Sequence, residues 1–291
     1  DMKQKKITEG IIHGIFLLLG LVTVGCVLLI TVYLVISGLP AIRQIGLKAF
    51  LFGKTWAPTQ AQPVYGILPF ILTSIYGTAG AMALGVPVGF FAAVYIAKMA
   101  SPRVKNVIQS AVSLLAGSPS VVYGLVGMLV LVPAIRKLFS VPDGSSLLAA
   151  IIVLSIMILP SIIKVSVTAL EAVPREYEDA SLALGATPVE TYFKVSVPAA
   201  RSGVAAAVVL GVGRAIGEAM AVMMVSGNVA NMPRLFESVR FLTTAVASEM
   251  AYPSVGSLHR QALFSIAMVL YLFIMLINAA LNFFLKRDKE G

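Results

Sequence analysis

The chain has 291 residues, 58% of them hydrophobic and only 12% charged. A soluble domain carries about twice that charge, so the composition is that of a polytopic membrane protein. The formal net charge of +9 is accounted for by basic residues flanking membrane spans and not by nucleic-acid binding, and a single cysteine, Cys26, excludes an intrachain disulfide or a cysteine metal site.

Lys3, Lys5 and Lys6 lead into a run from Gly10 to Ile42 without Asp, Glu, Lys or Arg, enough for span 1 at about 20 residues per crossing. No small-residue cleavage site follows a short apolar core, so this span is expected to be retained. His13, near its start, reads as an interfacial histidine before it reads as a ligand. A loop to about residue 65 holds Arg43, Lys48, Lys54 and the one tryptophan, Trp56, expected as an interfacial anchor. Span 2 is expected over 67–97. Its Gly77, Gly80, Gly85 and Gly89 permit close helix contact, with ordinary packing favoured over a gate.

After a basic turn (Lys98, Arg103, Lys105), span 3 is expected from Asn106 to about Pro133. Pro119 should break or kink it in mid-membrane, and broken backbone there is tolerated where it is packed by protein or lines a watery cavity. Ser118, Ser120 and Tyr123 would supply hydroxyls to such a path; plain packing is the competing reading. Arg136, Lys137 and Asp143 mark another loop, and span 4 runs from about Ser145 to Ala169.

The polar stretch 171–200 is too charged to cross a bilayer and too short to be a domain. Pro174 suits the first turn of a helix, and Gly185 suits a left-handed stop after Leu184. Thr187-Pro188-Val189-Glu190 reads as a capping box that starts a second short helix, and Pro198 should end or kink it. The result is a compact knob on the membrane surface. Its bland reading is an inter-helix loop lying on lipid headgroups.

Span 5, expected from about Ser202 to Gly227, holds two charges, Arg214 and Glu218. Residues four apart share one helix face, so the pair reads either as a self-neutralising structural ion pair or as an anion site on a translocation path. Arg offers a planar fork suited to tetrahedral oxyanions. The loop 228–260 holds Arg234, Glu237, Arg240, Glu249, His259 and Arg260, its fragment Tyr252 to Ser254 gives no chemical signal, and span 6 is Gln261 to Leu285. Six spans place both termini on one side. With that side inside, 13 Lys and Arg are internal, eight are external and Arg214 is within the membrane. The bias makes both termini and the knob cytoplasmic.

Two stretches carry a family resemblance. Asp179-Ala180-Ser181, Gly185 and, nine residues later, Val195-Ser196-Val197-Pro198 resemble the E-A-A…G…I-x-L-P loop of ATP-binding-cassette importer permeases. Asp for Glu and Ser for the second Ala are mild departures. The resemblance implies that this loop, with Glu178, Asp179, Ala180, Ser181, Gly185 and Pro198, docks on an ATPase subunit. Arg214-Ala-Ile-Gly-Glu218-Ala-Met-Ala-Val, followed by Ser226-Gly227-Asn228, is similar to the R-A-x-G-E-T-M-x-V…G-N segment of phosphate importer permeases, closer to the PstC type than to its PstA partner. Pro119-Ser120-Val121-Val122-Tyr123-Gly124 also resembles that type. Ala219 stands where Thr is usual, which puts a hydroxyl role there in doubt. The resemblance covers about 67–285 and implies that Arg214 and Glu218 are the paired charges linked with phosphate passage.

The expected fold is therefore all-α, a six-span type I importer permease of the inner membrane. Residues 1–66 form the first span and its external loop, 67–285 the permease core, and 286–291 a cytoplasmic tail. The sequence has no G-x-x-x-x-G-K-[ST] phosphate loop and no credible catalytic constellation. This chain is thus expected to bind no cofactor and no metal, and to be non-catalytic. The resemblance implies ATP and Mg in two partner ATPase subunits, a PstA-like second permease and an external phosphate-binding protein. Three other readings stay open: a permease for sulfate or molybdate, an ion-driven secondary carrier using Arg214 and Glu218 as a relay, and a signalling role coexisting with transport. A membrane-embedded enzyme is least supported.

Overall fold

The computed structural model describes residues 2–287; of the expected tail, 288–291 lie outside them. The described residues are mostly helical, with one two-stranded ribbon and, in the non-helical stretch 226–241, a single bridge between Gly227 and Val239. Helix α1 (Met2–Ile45) is followed by α2 (Leu47–Phe52), then by β1 (Trp56–Ala57) and β2 (Val64–Tyr65), paired antiparallel. Next come α3 (Leu68–Val94), α4 (Pro102–Gly117), α5 (Ser120–Val126), α6 (Val132–Phe139) and α7 (Leu147–Glu171). The stretch after span 4 forms α8 (Arg175–Ala183), α9 (Pro188–Thr191) and α10 (Val197–Ala199). Helices α11 (Arg201–Gly217), α12 (Met220–Val225), α13 (Leu242–Glu249) and α14 (Leu258–Arg287) complete the chain. Three π-helical turns, Tyr95–Met99, Gly127–Leu131 and Tyr192–Ser196, interrupt the α-helical runs.

Among the described residues, five helices are long and apolar enough to cross a membrane: Glu9–Ile45, Leu68–Met99, Ser120–Phe139, Leu147–Glu171 and Leu258–Ala280. A sixth arises if Pro188–Ala199 and Arg201–Gly217, bent by 71°, count as one span. The architecture is the expected all-α membrane fold.

Helix α7 is the axis of the bundle. Ser146 caps it by accepting from the Ala149 amide at 3.3 Å. Its isoleucines fill notches left by the glycines of α3: a Cβ on Gly80 would sit 2.7 Å from Ile151, on Gly85 2.7 Å from Ile158, and on Gly89 2.9 Å from Ile162. The glycine stripe of span 2 is therefore packing, as expected, since only bare backbone lets the isoleucines in this far. Helix α1 stands mostly apart, with side chains such as Phe16 and Leu29 exposed. It is tied near its C-terminal end to α14, where Ser265 Oγ donates to the Gly38 carbonyl at 2.6 Å and Thr31 Oγ1 to the Tyr271 hydroxyl at 2.9 Å.

Several expectations are corrected. Span 3 does not run through Pro119. Residues 102–117 form a separate amphipathic helix, and the apolar span starts at Ser120, with Pro119 capping it. The chain breaks before the span and not in its middle. Arg136 and Lys137 lie in the last turn of α6 instead of a loop. Trp56 is not an exposed anchor; it is buried against Tyr65, Phe70 and His259. Span 5 stops at Gly217.

Candidate functional site

The knob folds as its punctuation dictates. Pro174 caps α8, whose first turn carries Glu176 and Glu178, where carboxylates complement the helix dipole. Gly185 sits at φ +88°, in the left-handed region that favours glycine. The reversal is closed by the Gly185 amide donating to the Leu182 carbonyl at 3.0 Å and the Ala186 amide to the Ser181 carbonyl at 3.2 Å. The capping box is complete: the Glu190 amide donates to Thr187 Oγ1 at 3.3 Å, and the Thr187 amide to the Glu190 carboxylate at 3.1 Å. Ser181 and Thr191 share a hydroxyl hydrogen bond of 2.9 Å, which ties α8 to α9. Pro198 lies in α10, just before the 71° bend into α11.

The residues singled out here divide by position. Asp179 and Ala180 are exposed, as are Tyr177, Leu182, Leu184, Val189 and Phe193. Leu184 is 89% exposed, an apolar side chain offered outward at the crest of the knob. Glu178 instead turns inward. It accepts from Lys98 Nζ and, at 2.7 Å, from Ser196 Oγ. Lys98 follows span 2 on one π-helical turn and Ser196 lies on another. One carboxylate thus joins the knob to the end of span 2 and to the arm leading into α11. Burial pushes the Glu178 carboxyl up. The hydrogen bonds from Lys98 and Ser196 and the charges of Lys98 and Arg175 outweigh that and hold it below its ordinary value. Sequence reading missed Lys98, which it placed in a generic basic turn; no local signal distinguishes it from Arg103.

The second region lies inside the bundle. Arg214 and Glu218 do not share a helix face. Glu218 is in extended conformation (φ −73°, ψ 127°) at the C-cap of α11, and no ion pair joins the two among the described residues. Each charge meets a helix end instead. Arg214 lies in the last turn of α11, where a cation complements the dipole, and Nη1 reaches Ser161 Oγ on α7 at 3.5 Å. The Glu218 carboxylate accepts from the Ala221 amide at 3.0 Å in the first turn of α12, and its carbonyl accepts from Thr243 Oγ1 at 2.8 Å. The break between α11 and α12 is stabilised by these partners, which explains why no proline is needed to make it.

The second break sits beside the first. A Cβ on Gly124 of α5 would lie 2.9 Å from Ala221 Cα and 2.7 Å from Met224 Sδ, so α5 and α12 touch backbone to backbone. At the head of α5, Tyr123 donates its hydroxyl to the Leu115 carbonyl at 2.6 Å, and Ser118 Oγ donates to the Leu114 carbonyl at 3.0 Å. Both hydroxyls thus satisfy the C-terminal end of α4. Ser120 is half-buried in the first turn of α5. The structure therefore brings Arg214 to Ser161 and packs the two broken backbones against each other, and it separates Arg214 from Glu218.

A third cluster was invisible in the sequence. Glu249 accepts from Trp56 Nε1 at 3.1 Å, pairs with Arg240 and meets His259 Nε2 at 2.9 Å. Arg240 also donates from Nε to the Asn228 carbonyl at 2.8 Å. The groups bind one another, and the cluster locks the β-ribbon to α13 and α14.

Residues 85–288 match the family model described as "Binding-protein-dependent transport system inner membrane component". The chain is 40% identical over 266 residues to the probable ABC transporter permease protein YqgH of Bacillus subtilis, covering 89% of this chain and 86% of that protein. It is 33% identical over 280 residues to the phosphate transport system permease protein PstC of Haemophilus influenzae, again covering 89% and 86%. Among solved structures, an inward-facing MetNI methionine ABC transporter matches with a TM-score of 0.56 at 19% identity, covering 77% of this chain and 94% of that one. That likeness concerns the fold alone.

Proposed function

The chain belongs to the binding-protein-dependent transport system inner membrane components, the non-catalytic permease subunits of ABC importers, and from that premise we propose that it carries inorganic phosphate inward. It forms the translocation path with a PstA-like second permease. Two ATPase subunits hold ATP and Mg, and an external binding protein delivers phosphate. The knob faces the cytoplasm with both termini, and its exposed Tyr177, Leu182, Leu184 and Val189 seat against the ATPase. ATP binding closes the ATPase dimer, the knob passes that motion to the spans, and the path alternates between its two openings.

The observation that carries the reading is Arg214. It is a guanidinium among membrane-spanning helices, with one long hydrogen bond to Ser161 and no carboxylate partner among the described residues. Placing such a charge there costs at least ~2.5–3.5 kcal/mol on insertion scales, a cost offset when an anion passes. The resemblance of the surrounding segment to phosphate permeases and the likeness to PstC proteins support phosphate as that anion. Sulfate and molybdate remain the second reading, because one guanidinium suits any tetrahedral oxyanion. Family membership sets aside the ion-driven carrier. The test is Arg214→Gln in the co-expressed complex. Loss of ATP-driven phosphate uptake with the ATPase still co-purifying is the expected result; normal uptake would remove Arg214 from the path.

A further inference from the structure

Helix α7 presents Ser161, Lys164, Thr168 and Glu171 at successive spacings of three, four and three residues, all on one face. Helix α4 presents Lys105, Gln109 and Ser113 at i, i+4 and i+8 toward it. Between the two helices lies a cavity of about 280 Å³ lined by Gln109, Ser113, Lys164, Thr168 and Glu171 on its polar side. Glu171 is neutralised by Lys105. Lys164 is exposed, and among the described residues nothing pairs with its ammonium; its carbonyl accepts from Thr168 Oγ1 at 3.0 Å. With Glu171 paired to Lys105, which lies outside the lining, the one uncompensated charge at the cavity among the described residues is the Lys164 ammonium, beside two neutral side chains free to donate, Gln109 and Ser113, and room for a small anion. It begins one turn, about 4.5 Å along the axis, from Ser161, where the Arg214 guanidinium reaches.

We propose that Lys164 and the polar groove between α4 and α7 form a second station for a phosphate-type tetrahedral oxyanion, on the coupling-loop side of Arg214. The inference rests on the permease reading above. An anion released from Arg214 meets a second cation one turn away, so it moves from one charge to the next without an uncompensated step. The ammonium is a mobile point charge with three donors, not a planar fork, and Gln109 and Ser113 supply hydrogen bonds, the Thr168 proton being held by the Lys164 carbonyl. This makes a weak site, suited to release. The same chemistry would also take the phosphate of a lipid headgroup.

The test uses Cys26→Ser with Ser113→Cys as reporter, in the complete complex in nanodiscs. The rate of modification by an anionic methanethiosulfonate reagent is read on this chain. Nanodiscs are made of phosphatidylcholine alone, or with phosphatidylglycerol added. Millimolar inorganic phosphate is expected to slow labelling severalfold in both lipids. Lys164→Met should abolish that protection at millimolar phosphate, because the affinity falls on the order of tenfold or more, as for loss of a charged hydrogen bond. Lys164→Arg should retain most of it. Co-purification of the ATPase shows that each variant assembles. The proposal is overturned if no oxyanion protects, or if protection survives Lys164→Met. It is also overturned if labelling follows phosphatidylglycerol content and free phosphate adds nothing, which would make a lipid headgroup the occupant. Protection by sulfate or molybdate but not phosphate upholds the station and counts against phosphate as the cargo. ATP-driven phosphate uptake without protection fails the station and leaves the permease reading standing.

Discussion

Arg214 owes its position to the helix end on which it sits. Because α11 stops at Gly217, the guanidinium has the C-terminal dipole below it and one hydroxyl beside it, and Glu218 turns away to cap α12. The two charges have separate partners, and their substitution is expected to have separable effects. Arg214→Gln removes the charge and keeps the side chain's reach. Losing a charged hydrogen bond costs about 1.5–3 kcal/mol, so uptake should fall by roughly tenfold to a hundredfold. Arg214→Lys should retain part of the activity. Glu218→Gln keeps an acceptor for the Ala221 amide, so it should lower the thermal midpoint of the complex only slightly. A loss of uptake from Glu218→Gln equal to that of Arg214→Gln would contradict this separation and restore a functional pair. Sequence reading found both residues and misjudged their relation. The run Gly213 to Met220 contains no proline and continues a helical pattern. The break is set by α12 packing on Gly124 of α5 and by the Thr243 hydroxyl on the Glu218 carbonyl, all distant in sequence.

At the scale of elements, the knob's shape rests on one backbone reversal and one inward carboxylate. Gly185→Val places a β-branched residue at φ +88°, at a cost of about 1–2 kcal/mol. The turn should open, and co-purification of the ATPase should weaken. The knob was legible because its signals are local: Pro174, Gly185, the Thr187–Glu190 box and Pro198 lie within 25 residues. The Glu178 tie was not, because Lys98 is 80 residues away. Lys98→Met leaves a partly buried carboxylate unpaired, and Glu178→Gln leaves a partly buried ammonium so. Removing one partner of a fully buried pair costs about 3–5 kcal/mol, and solvent at this site should reduce the loss. Each single change should uncouple ATP hydrolysis from uptake, and the exchange Lys98→Glu with Glu178→Lys should restore part of the coupling. Failure of the exchange, with both singles active, would make the tie incidental. Its pH dependence has a definite sign. The Glu178 carboxyl is held below its ordinary value in the folded protein. The tie is therefore fully present above the unfolded carboxylate range and is lost only as pH falls through the lowered value. Coupling measured from neutral into mildly acidic pH should not change on its account.

For the whole molecule, the apolar runs between charges disclosed most of the bundle, since lipid leaves little freedom in where a span begins and ends. They misled at span 3, where α4 is amphipathic and carries no charge after Lys105; its separation depends on Pro119 and on the hydroxyls that close its end. Trp56 was misread for a comparable reason, because its partner Glu249 is 193 residues away. In the proposed function the bundle faces a path problem: a charged ligand crosses between helices that bury few charges of their own, on energy supplied by a partner through the knob. The measurement that tests this most directly is uptake of labelled phosphate into vesicles holding the co-expressed complex and binding protein. It is run with and without ATP, and with excess unlabelled sulfate or molybdate. ATP-dependent uptake that neither competitor blocks is the predicted result. Uptake blocked by either competitor would contradict phosphate as the cargo, and uptake that ignores ATP and follows an ion gradient would contradict the account as a whole.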